Sequence, residues 1–208
     1  MRPITGIIST FVLAFALTLS IPAAAEAPRE AAKPVERLNE TLLETMKNAQ
    51  ELGYEGRREK LAPVLRDIFD FAFMARVSVG RHWQDLSEAE RETLIEEFSQ
   101  MSIATYAARF AGYSGQSFEV SEPREGPRDS ILVPSHLRKP NGEIIELDYL
   151  VRGNGEDWQI IDVFLKGSFS ELATKRAEYT SVIKRAGFDK LISHLDDKQA
   201  KLRSASKQ

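Results

Sequence analysis

The sequence has no cysteine among its 208 residues, which excludes disulfides, thiol nucleophiles and thiolate metal ligands. Histidine is scarce as well. His82, His136 and His194 are far apart, and none has a second histidine three or four positions away. Zinc ligands usually cluster at such spacings, so these histidines argue against a metal site. A chain without disulfides must hold its fold together through its apolar core.

A surplus of positive charge is also lacking. The chain has 28 Lys and Arg residues against 31 Asp and Glu residues, which gives a formal net charge of −3 at pH 7. Nucleic-acid-binding domains usually carry a basic surplus, so the composition argues against that class of partner.

After residue 25 the chain has no apolar run long enough to cross a membrane. The N-terminal segment differs from the rest of the chain. Arg2 provides a positive charge, residues 3–25 carry no charge, and the small residues 23–25 form an Ala-x-Ala cleavage pattern. This layout predicts a cleaved signal peptide over residues 1–25 and a periplasmic location. The alternative is an uncleaved membrane anchor, although Ser, Thr and Gly dilute the run.

Cleavage would leave 183 residues with a formal net charge of −4. A chain of this length is enough for one domain with a sizeable core. We expect a single domain over residues 26–198, followed by a polar, disordered tail over residues 199–208.

The first half of this domain has helical periodicity. Helical periodicity is visible over residues 35–52 and 56–70. Residues 69–83 are apolar nearly throughout, which is typical of a buried helix. The third segment should end near Gly80, and Asp70 should cap it as a helix-junction residue. Ser87 and Glu90 form a capping box that opens a long helix.

Four runs with period-two patterning follow, separated by turn sequences: residues 117–121, 130–139, 143–152 and 158–165. Sequential strands with short connections predict an antiparallel sheet. Helices return at a second capping box of Ser168 with Glu171; Gly187 ends the first of them, and a last helix covers about residues 188–198. Helices, then four strands, then helices predict an α+β fold.

The predicted hairpin over residues 143–165 is apolar on both faces. Leu147, Tyr149 and Val163 lie on one face, and Leu150 and Phe164 lie on the other. An antiparallel hairpin with one face in water would be polar on that side. Helices can cover one face, so the other face must meet further helices or an apolar space enclosed by a curved sheet.

Asp162 lies inside this apolar run and allows two interpretations. A carboxylate there could be a general base with a raised pKa. We favour a structural carboxylate that is hydrogen-bonded to backbone amides or paired with Arg152 or Lys166, because a buried carboxylate needs partners wherever it lies.

The inward-facing apolar residues exceed what one catalytic pocket would use. The candidates are Phe71, Phe73, Met74, Val77, Phe98, Met101 and Tyr106 in the first helices, Leu147, Tyr149, Val151, Ile161 and Val163 in the strands, and Tyr179 in the later helices. A packed core and a cavity for a long apolar ligand have the same composition, so these residues are compatible with both.

Two long segments of the chain, residues 67–98 and 149–195, carry a family resemblance. Its most specific part consists of the strand residues 158–163, the Gly-x-x-Ser sequence at 167–170, the Arg-x-x-Tyr sequence at 176–179 and the Gly-Phe-Asp sequence at 187–189. Together they resemble the MlaC/toluene-tolerance family of periplasmic phospholipid-binding proteins, and more closely its hopanoid-associated branch, HpnM. The resemblance covers nearly the whole chain after residue 35.

The resemblance implies an NTF2-like cone: a curved, four-stranded antiparallel sheet wrapped by extra helices, enclosing an apolar pocket. The candidates above would line that pocket and contact the acyl chains of a phospholipid or the ring system of a hopanoid. The family's carriers exchange lipid with an inner-membrane ABC transporter complex and an outer-membrane lipoprotein complex and so maintain outer-membrane lipid asymmetry. They need no cofactor or metal, and the resemblance implies no enzymatic activity.

Two other functions remain open on the sequence. NTF2-like cones also host isomerases and dehydratases, which would require a base such as Asp162 or His136 inside the cone. A non-binding adaptor of an export complex would instead have a fully packed interior.

Overall fold

The computed structural model describes residues 28–154 and 157–206, and the expected signal peptide lies outside them. Its helices are α1 (Lys33–Lys47), α2 (Ala49–Ile68), α3 (Phe71–Val79), α4 (Glu88–Arg109), α5 (Glu171–Ala186) and α6 (Phe188–Ala205), with short 3₁₀ helices at Arg29–Ala32 and Gly80–Asp85. Its strands are β1 (Ser117–Val120), β2 (Arg124–Glu125), β3 (Ile131–Val133), β4 (Ser135–Arg138), β5 (Ile144–Asn154), β6 (Asp157–Leu165) and β7 (Phe169–Ser170). The predicted α+β fold with a curved antiparallel sheet is confirmed.

Local signals set the ends of the early helices. Ser87 and Glu90 form the predicted capping box of α4: Ser87 Oγ accepts a hydrogen bond from Glu90 N at 3.3 Å, and Glu90 Oε2 accepts one from Ser87 N at 2.7 Å. Asp70 caps α3, as predicted, by accepting a hydrogen bond from Phe73 N at 2.8 Å. Helix α3 ends at Gly80, whose φ of +57° favours glycine.

The predicted capping box of Ser168 with Glu171 is wrong. Helix α5 begins at Glu171 itself, and its cap is Ser170, whose Oγ accepts a hydrogen bond from Ala173 N at 2.8 Å. Ser170 Oγ also donates to Oδ2 of Asp162 at 2.6 Å. A buried carboxylate on β6 therefore helps to fix where the helix starts.

Strand β5 is the centre of the sheet. The strand order is β1-β4-β5-β3-β2, and β6 pairs with β5 and with β7. Two strands share one edge of β5, since β4 pairs with residues 144–146 and β3 with residues 149–151. The predicted strand over residues 130–139 is divided at Pro134, which has no N–H to donate to the ladder.

The predicted number of strands is therefore corrected from four to seven among the described residues. Besides the division at Pro134, two short strands were not predicted. Strands β2 and β7 have two residues each, which is too few for a period-two pattern to be visible.

A β-bulge interrupts the pairing of β5 with β6. Leu150 is opposite Asp162 and Val151 is opposite Ile160, so the register skips Ile161. A bulge of this kind bends the strand and increases its twist, which helps the sheet to curve.

The disordered tail predicted over residues 199–208 is corrected for residues 199–205, because α6 continues to Ala205. Leu202 packs against the core. Gln199 Nε2 donates to Glu97 Oε2 at 2.9 Å, and Arg203 Nε lies 2.7 Å from Glu55 Oε1. These contacts order a segment whose polar composition resembles that of a free tail.

Helices α1, α2, α3 and α5 all contact β6, so the helical layer covers the concave side of the sheet. Helix α4 packs on α2, α3 and α6. Over residues 28–154 and 157–206, none of the helices has both the length and the apolar composition needed to cross a bilayer.

Candidate functional site

A cavity of about 310 Å³ lies between the concave side of the sheet and the helices α3, α4 and α5. Its walls are Phe69, Met74, Ser102, Thr105, Tyr106, Arg109, Phe110, Leu137, Ile145, Leu147, Tyr149, Val163, Leu165, Glu171 and Lys175. Most of these side chains are apolar, and the charged ones come from α4 and α5. An engineered cavity of about 150 Å³ is enough to bind benzene, so this space can hold a larger apolar group.

Strand alternation decides which sheet residues reach the cavity. On β5, Ile145, Leu147 and Tyr149 share one face, and their side chains line the cavity. Leu147 is opposite Leu165 and Tyr149 is opposite Val163, so two residues of β6 complete the same face. This is the face that the sequence assigned to the pocket.

Of the residues predicted to line the pocket, the structure brings five to the cavity: Met74, Tyr106, Leu147, Tyr149 and Val163. It places the other eight elsewhere: Phe71, Phe73, Val77, Phe98, Met101, Val151, Ile161 and Tyr179. None of these eight residues lines this cavity, for reasons that differ between the groups, and the contact of any of the thirteen with lipid stays a prediction.

Three of these eight residues belong to a row of contacting aromatic side chains in the packed core. Phe71 stacks on Phe69 with ring centroids 5.4 Å apart, Phe98 lies 6.2 Å from Phe71, and Tyr179 meets Phe98 edge-on at 6.3 Å. Phe69 lines the cavity and meets Tyr106, another residue of the cavity wall, edge-on at 5.9 Å. The three predicted residues of the row therefore pack behind the cavity wall and do not line the cavity itself.

The other five residues lie outside the cavity because of their positions in the sheet or on the helices. Val151 is fully buried between its strand partners, Ile161 is the residue skipped at the bulge, and Met101 is buried in the core. Phe73 is half-buried beneath the guanidinium of Arg152, whose Cζ lies 4.2 Å from the ring centroid. Val77, one helical turn further along α3, is half-buried at the edge of the core.

Several polar and charged residues of α4 and α5 that line the cavity were not predicted from the sequence. Ser102, Tyr106 and Arg109 lie on one face of α4 because residues three and four apart are neighbours on a helix. Glu171 and Lys175 have the same relation on α5. The position of Tyr106 would have identified Ser102 and Arg109 by spacing alone.

Two tyrosines provide a polar contact inside the cavity. The hydroxyl groups of Tyr106 and Tyr149 lie close enough to influence each other, and burial raises the pKa of both phenols well above the usual range. Both side chains are therefore neutral at ordinary pH. Tyr106 also stacks on Phe110 at 5.7 Å, which fixes its ring against the wall.

Three charged residues line the other part of the cavity. Arg109 is exposed, whereas Glu171 and Lys175 are half-buried. Burial lowers the pKa of the Lys175 ammonium, and the charge of Glu171 counteracts this effect. In the part of the chain that the structure describes, neither Arg109 nor Lys175 forms an ion pair within 4.0 Å. We call the part of the cavity wall formed by these three residues the mouth.

Asp162 points away from the cavity, and the structural interpretation of this residue is confirmed. Its Oδ1 accepts hydrogen bonds from Val163 N at 2.7 Å and Leu172 N at 3.1 Å, and its Oδ2 accepts one from Ser170 Oγ. Burial raises the pKa of the carboxyl, and these hydrogen bonds oppose the shift. The expected backbone partners are the amides of Val163 and Leu172, whereas among the described residues neither Arg152 nor Lys166 pairs with this carboxylate.

His136 also lies outside the cavity, in a polar groove on the opposite side of the sheet. Neither base that the enzymatic alternative required therefore lines the cavity. Among the residues described, no three His, Asp or Glu side chains are grouped closely enough to hold a metal ion.

Comparison with known proteins identifies related chains. The family described as MlaC protein matches residues 36–197. Among solved structures, the chain is similar to the phospholipid-binding protein from Ralstonia solanacearum, which was solved in complex with a phospholipid. The two have 24% sequence identity and a TM-score of 0.72, over 83% of this chain and 98% of that chain. No curated protein matches the chain significantly.

Proposed function

Because the chain belongs to the MlaC family, we propose that it is a carrier that binds a phospholipid in the cavity beneath its sheet. The acyl part of the lipid occupies the apolar space, and the phosphate lies at the mouth. The observation that carries this proposal is an apolar cavity whose lining includes Arg109, Glu171 and Lys175, which are close enough to interact with one another.

The apolar walls provide the driving force for binding. Each CH₂ group moved out of water contributes about 0.8 kcal/mol, so an acyl chain gains several kcal/mol on entering the cavity. Leu147, Leu165 and Phe110 offer apolar contacts from the sheet and from α4. A lipid cannot cross an aqueous space at useful rates without such cover, and a protein that encloses its tail removes that barrier.

The charged residues at the mouth suit an anionic head group. Ser102 Oγ donates to Phe98 O at 2.9 Å, and Thr105 Oγ1 donates to Met101 O at 2.7 Å, so both hydroxyl hydrogens are already used. A phosphodiester only accepts hydrogen bonds, and Arg109 and Lys175 are the cationic donors that line the cavity. This pairing favours a phospholipid over an uncharged hopanoid as the main cargo.

The transport route is the finer part of the proposal. After cleavage of the signal peptide, the carrier would take lipid from or deliver it to an inner-membrane ABC transporter complex and an outer-membrane lipoprotein complex in the periplasm. Family membership supports this location. Membership of the hopanoid-associated branch, with a hopanoid as a second cargo, rests on the sequence resemblance.

The cavity also distinguishes this proposal from the two alternatives. An isomerase or dehydratase built on Asp162 or His136 would need these side chains in the cavity, and both lie elsewhere. An adaptor that binds no ligand would have a packed interior, whereas a space of about 310 Å³ is present.

Removing both cations at the mouth tests the head-group assignment. In the double variant Arg109→Gln/Lys175→Gln, we expect transfer of phosphatidylglycerol between two vesicle populations to slow by roughly tenfold or more. One charge-assisted hydrogen bond contributes about 1.5–3 kcal/mol, and 1.4 kcal/mol corresponds to tenfold in affinity. The measurement is the rate of appearance of labelled lipid in acceptor vesicles.

The matched control is Lys190→Gln/Lys201→Gln, which removes two exposed charges of α6. This control should transfer lipid at the wild-type rate. An equal slowing of the control and the mouth variant, or no slowing of either, would contradict the assignment.

A further inference from the structure

A second concave site lies on the outer side of α5, separate from the cavity. It is a groove of about 460 Å³ between α5 and the 3₁₀ helix Gly80–Asp85. Its side chains include Arg81, His82, Arg176, Thr180, Ser181 and Lys184. We call it the basic groove. None of these residues lines the lipid cavity.

Helix α5 keeps the two sites apart. Arg176, Thr180 and Lys184 follow one another at intervals of four residues, so they form one stripe along the helix. Lys175 and Tyr179 lie one position earlier in each turn and face the cavity and the core. The same helix therefore presents one cationic face to the cavity and another to solvent.

Glycine at position 80 allows the groove to form. Gly80 has a φ of +57°, and a Cβ built on it would lie 3.2 Å from Nε and 3.3 Å from Nη2 of Arg176. The guanidinium therefore packs directly against the backbone at the end of α3. This contact holds Arg176 beside Arg81, which follows Gly80 in the chain.

The cations of the groove are not neutralised by the protein. No carboxylate is among the residues that line the groove. Across the described residues, Arg81, Arg176 and Lys184 form no ion pair within 4.0 Å, and His82 Nδ1 lies 3.9 Å from Asp85 Oδ2. Gathering three permanent positive charges at one place is unfavourable unless an anion binds there, and it contrasts with the net charge of −3 of the whole chain.

We propose that the basic groove binds a phosphate group. Guanidinium groups donate two parallel hydrogen bonds to phosphate oxygens, and a lysine ammonium adds a point charge. Ser181 contributes a hydroxyl at the same place, whereas Thr180 Oγ1 already donates to Arg176 O at 2.6 Å. The phosphate belongs either to a head group on an anionic membrane surface or to free phosphate in solution. This inference goes beyond lipid carriage, because it concerns a surface that shares no residue with the cavity.

The test uses the complete mature chain in two binding experiments. In the first, the protein is sedimented with vesicles of phosphatidylglycerol or of phosphatidylcholine. In the second, inorganic phosphate is titrated into the isotope-labelled protein and the backbone amide shifts of residues 80–82 and 176–184 are followed by NMR. The variant Arg176→Gln/Lys184→Gln is compared with Arg185→Gln/Lys190→Gln, which removes two cations that do not line the groove.

We expect the groove variant to lose at least tenfold in affinity for phosphatidylglycerol vesicles or for inorganic phosphate, while the control keeps the wild-type affinity. Binding should weaken as salt is raised, because exposed charges are screened. If the protein binds both ligands, or the vesicles alone, the phosphate group at the groove is that of a membrane head group. If it binds inorganic phosphate alone, the ligand is free phosphate.

Equal losses in the two variants, or no binding of either ligand by the wild type, would overturn the proposal. Because the groove variant leaves Arg109 and Lys175 intact, its lipid content separates failure of the groove from failure of the carrier function. A groove variant that still carries lipid but no longer binds vesicles or phosphate would support the groove alone.

Discussion

Replacing Val163 by Trp is expected to lower the lipid content of the purified protein by at least tenfold while the chain still folds. Val163 lies on the cavity face of β6, opposite Tyr149. The indole would occupy space that the acyl chain needs. Overpacking a filled core usually costs about 1–3 kcal/mol, and a site that faces empty space should cost less. Lipid content is measured by mass spectrometry of the organic extract, and folding by circular dichroism.

Two further valines serve as controls for this result. Val182 on α5 is half-buried and does not line the cavity, so Val182→Trp should retain its lipid. Val151 is fully buried and lies opposite Ile131 and Ile160 on its two strand neighbours. Val151→Trp should therefore destabilise the fold itself. A folded Val163→Trp protein with wild-type lipid content would show that the lipid does not occupy this cavity.

Replacing Asp162 by Ala is expected to lower the free energy of unfolding by at least about 3 kcal/mol. The carboxylate accepts hydrogen bonds from Val163 N, Leu172 N and Ser170 Oγ, and it joins β6 to the start of α5. Breaking a buried network that involves a charged group leaves its donors without partners, at about 1–3 kcal/mol for each such group. For a domain of this size, such a loss corresponds to a melting temperature lower by roughly 10 °C.

The measurement is urea unfolding followed by circular dichroism. Asp162→Asn keeps one acceptor oxygen and should lose less than the alanine variant. Asp157→Ala removes an exposed carboxylate from the same strand and should change stability by less than about 0.5 kcal/mol. Equal stability of Asp162→Ala and the wild type would mean that the hydrogen bonds to α5 contribute nothing to the fold.

Much of the fold could be predicted because short-range signals set it. The capping box of Ser87 with Glu90 and the glycine at position 80 act through local backbone chemistry, and both are found as predicted. The start of α5 was not predictable in this way, because it depends on Asp162, eight residues before its cap. The continuation of α6 likewise depends on distant contacts, such as Gln199 with Glu97.

The site could be predicted only in part. Strand alternation placed Leu147, Tyr149 and Val163 on one face of the sheet, and these three residues line the cavity. No comparable rule separates the helix residues that line the cavity from those that are packed in the core. Phe98 and Tyr106 are both aromatic and inward-facing, yet Phe98 is packed in the core and Tyr106 lines the cavity. Arg109 and Lys175 were missed because charged helix residues usually face water.

Extraction of lipid from the purified protein tests the central claim most directly. The protein is purified without detergent, extracted with organic solvent and analysed by mass spectrometry, before and after incubation with phospholipid vesicles. The cavity beneath the sheet predicts about one phospholipid per chain, either from the expression host or after the incubation. A protein that carries no lipid and takes up none from vesicles would contradict the carrier function.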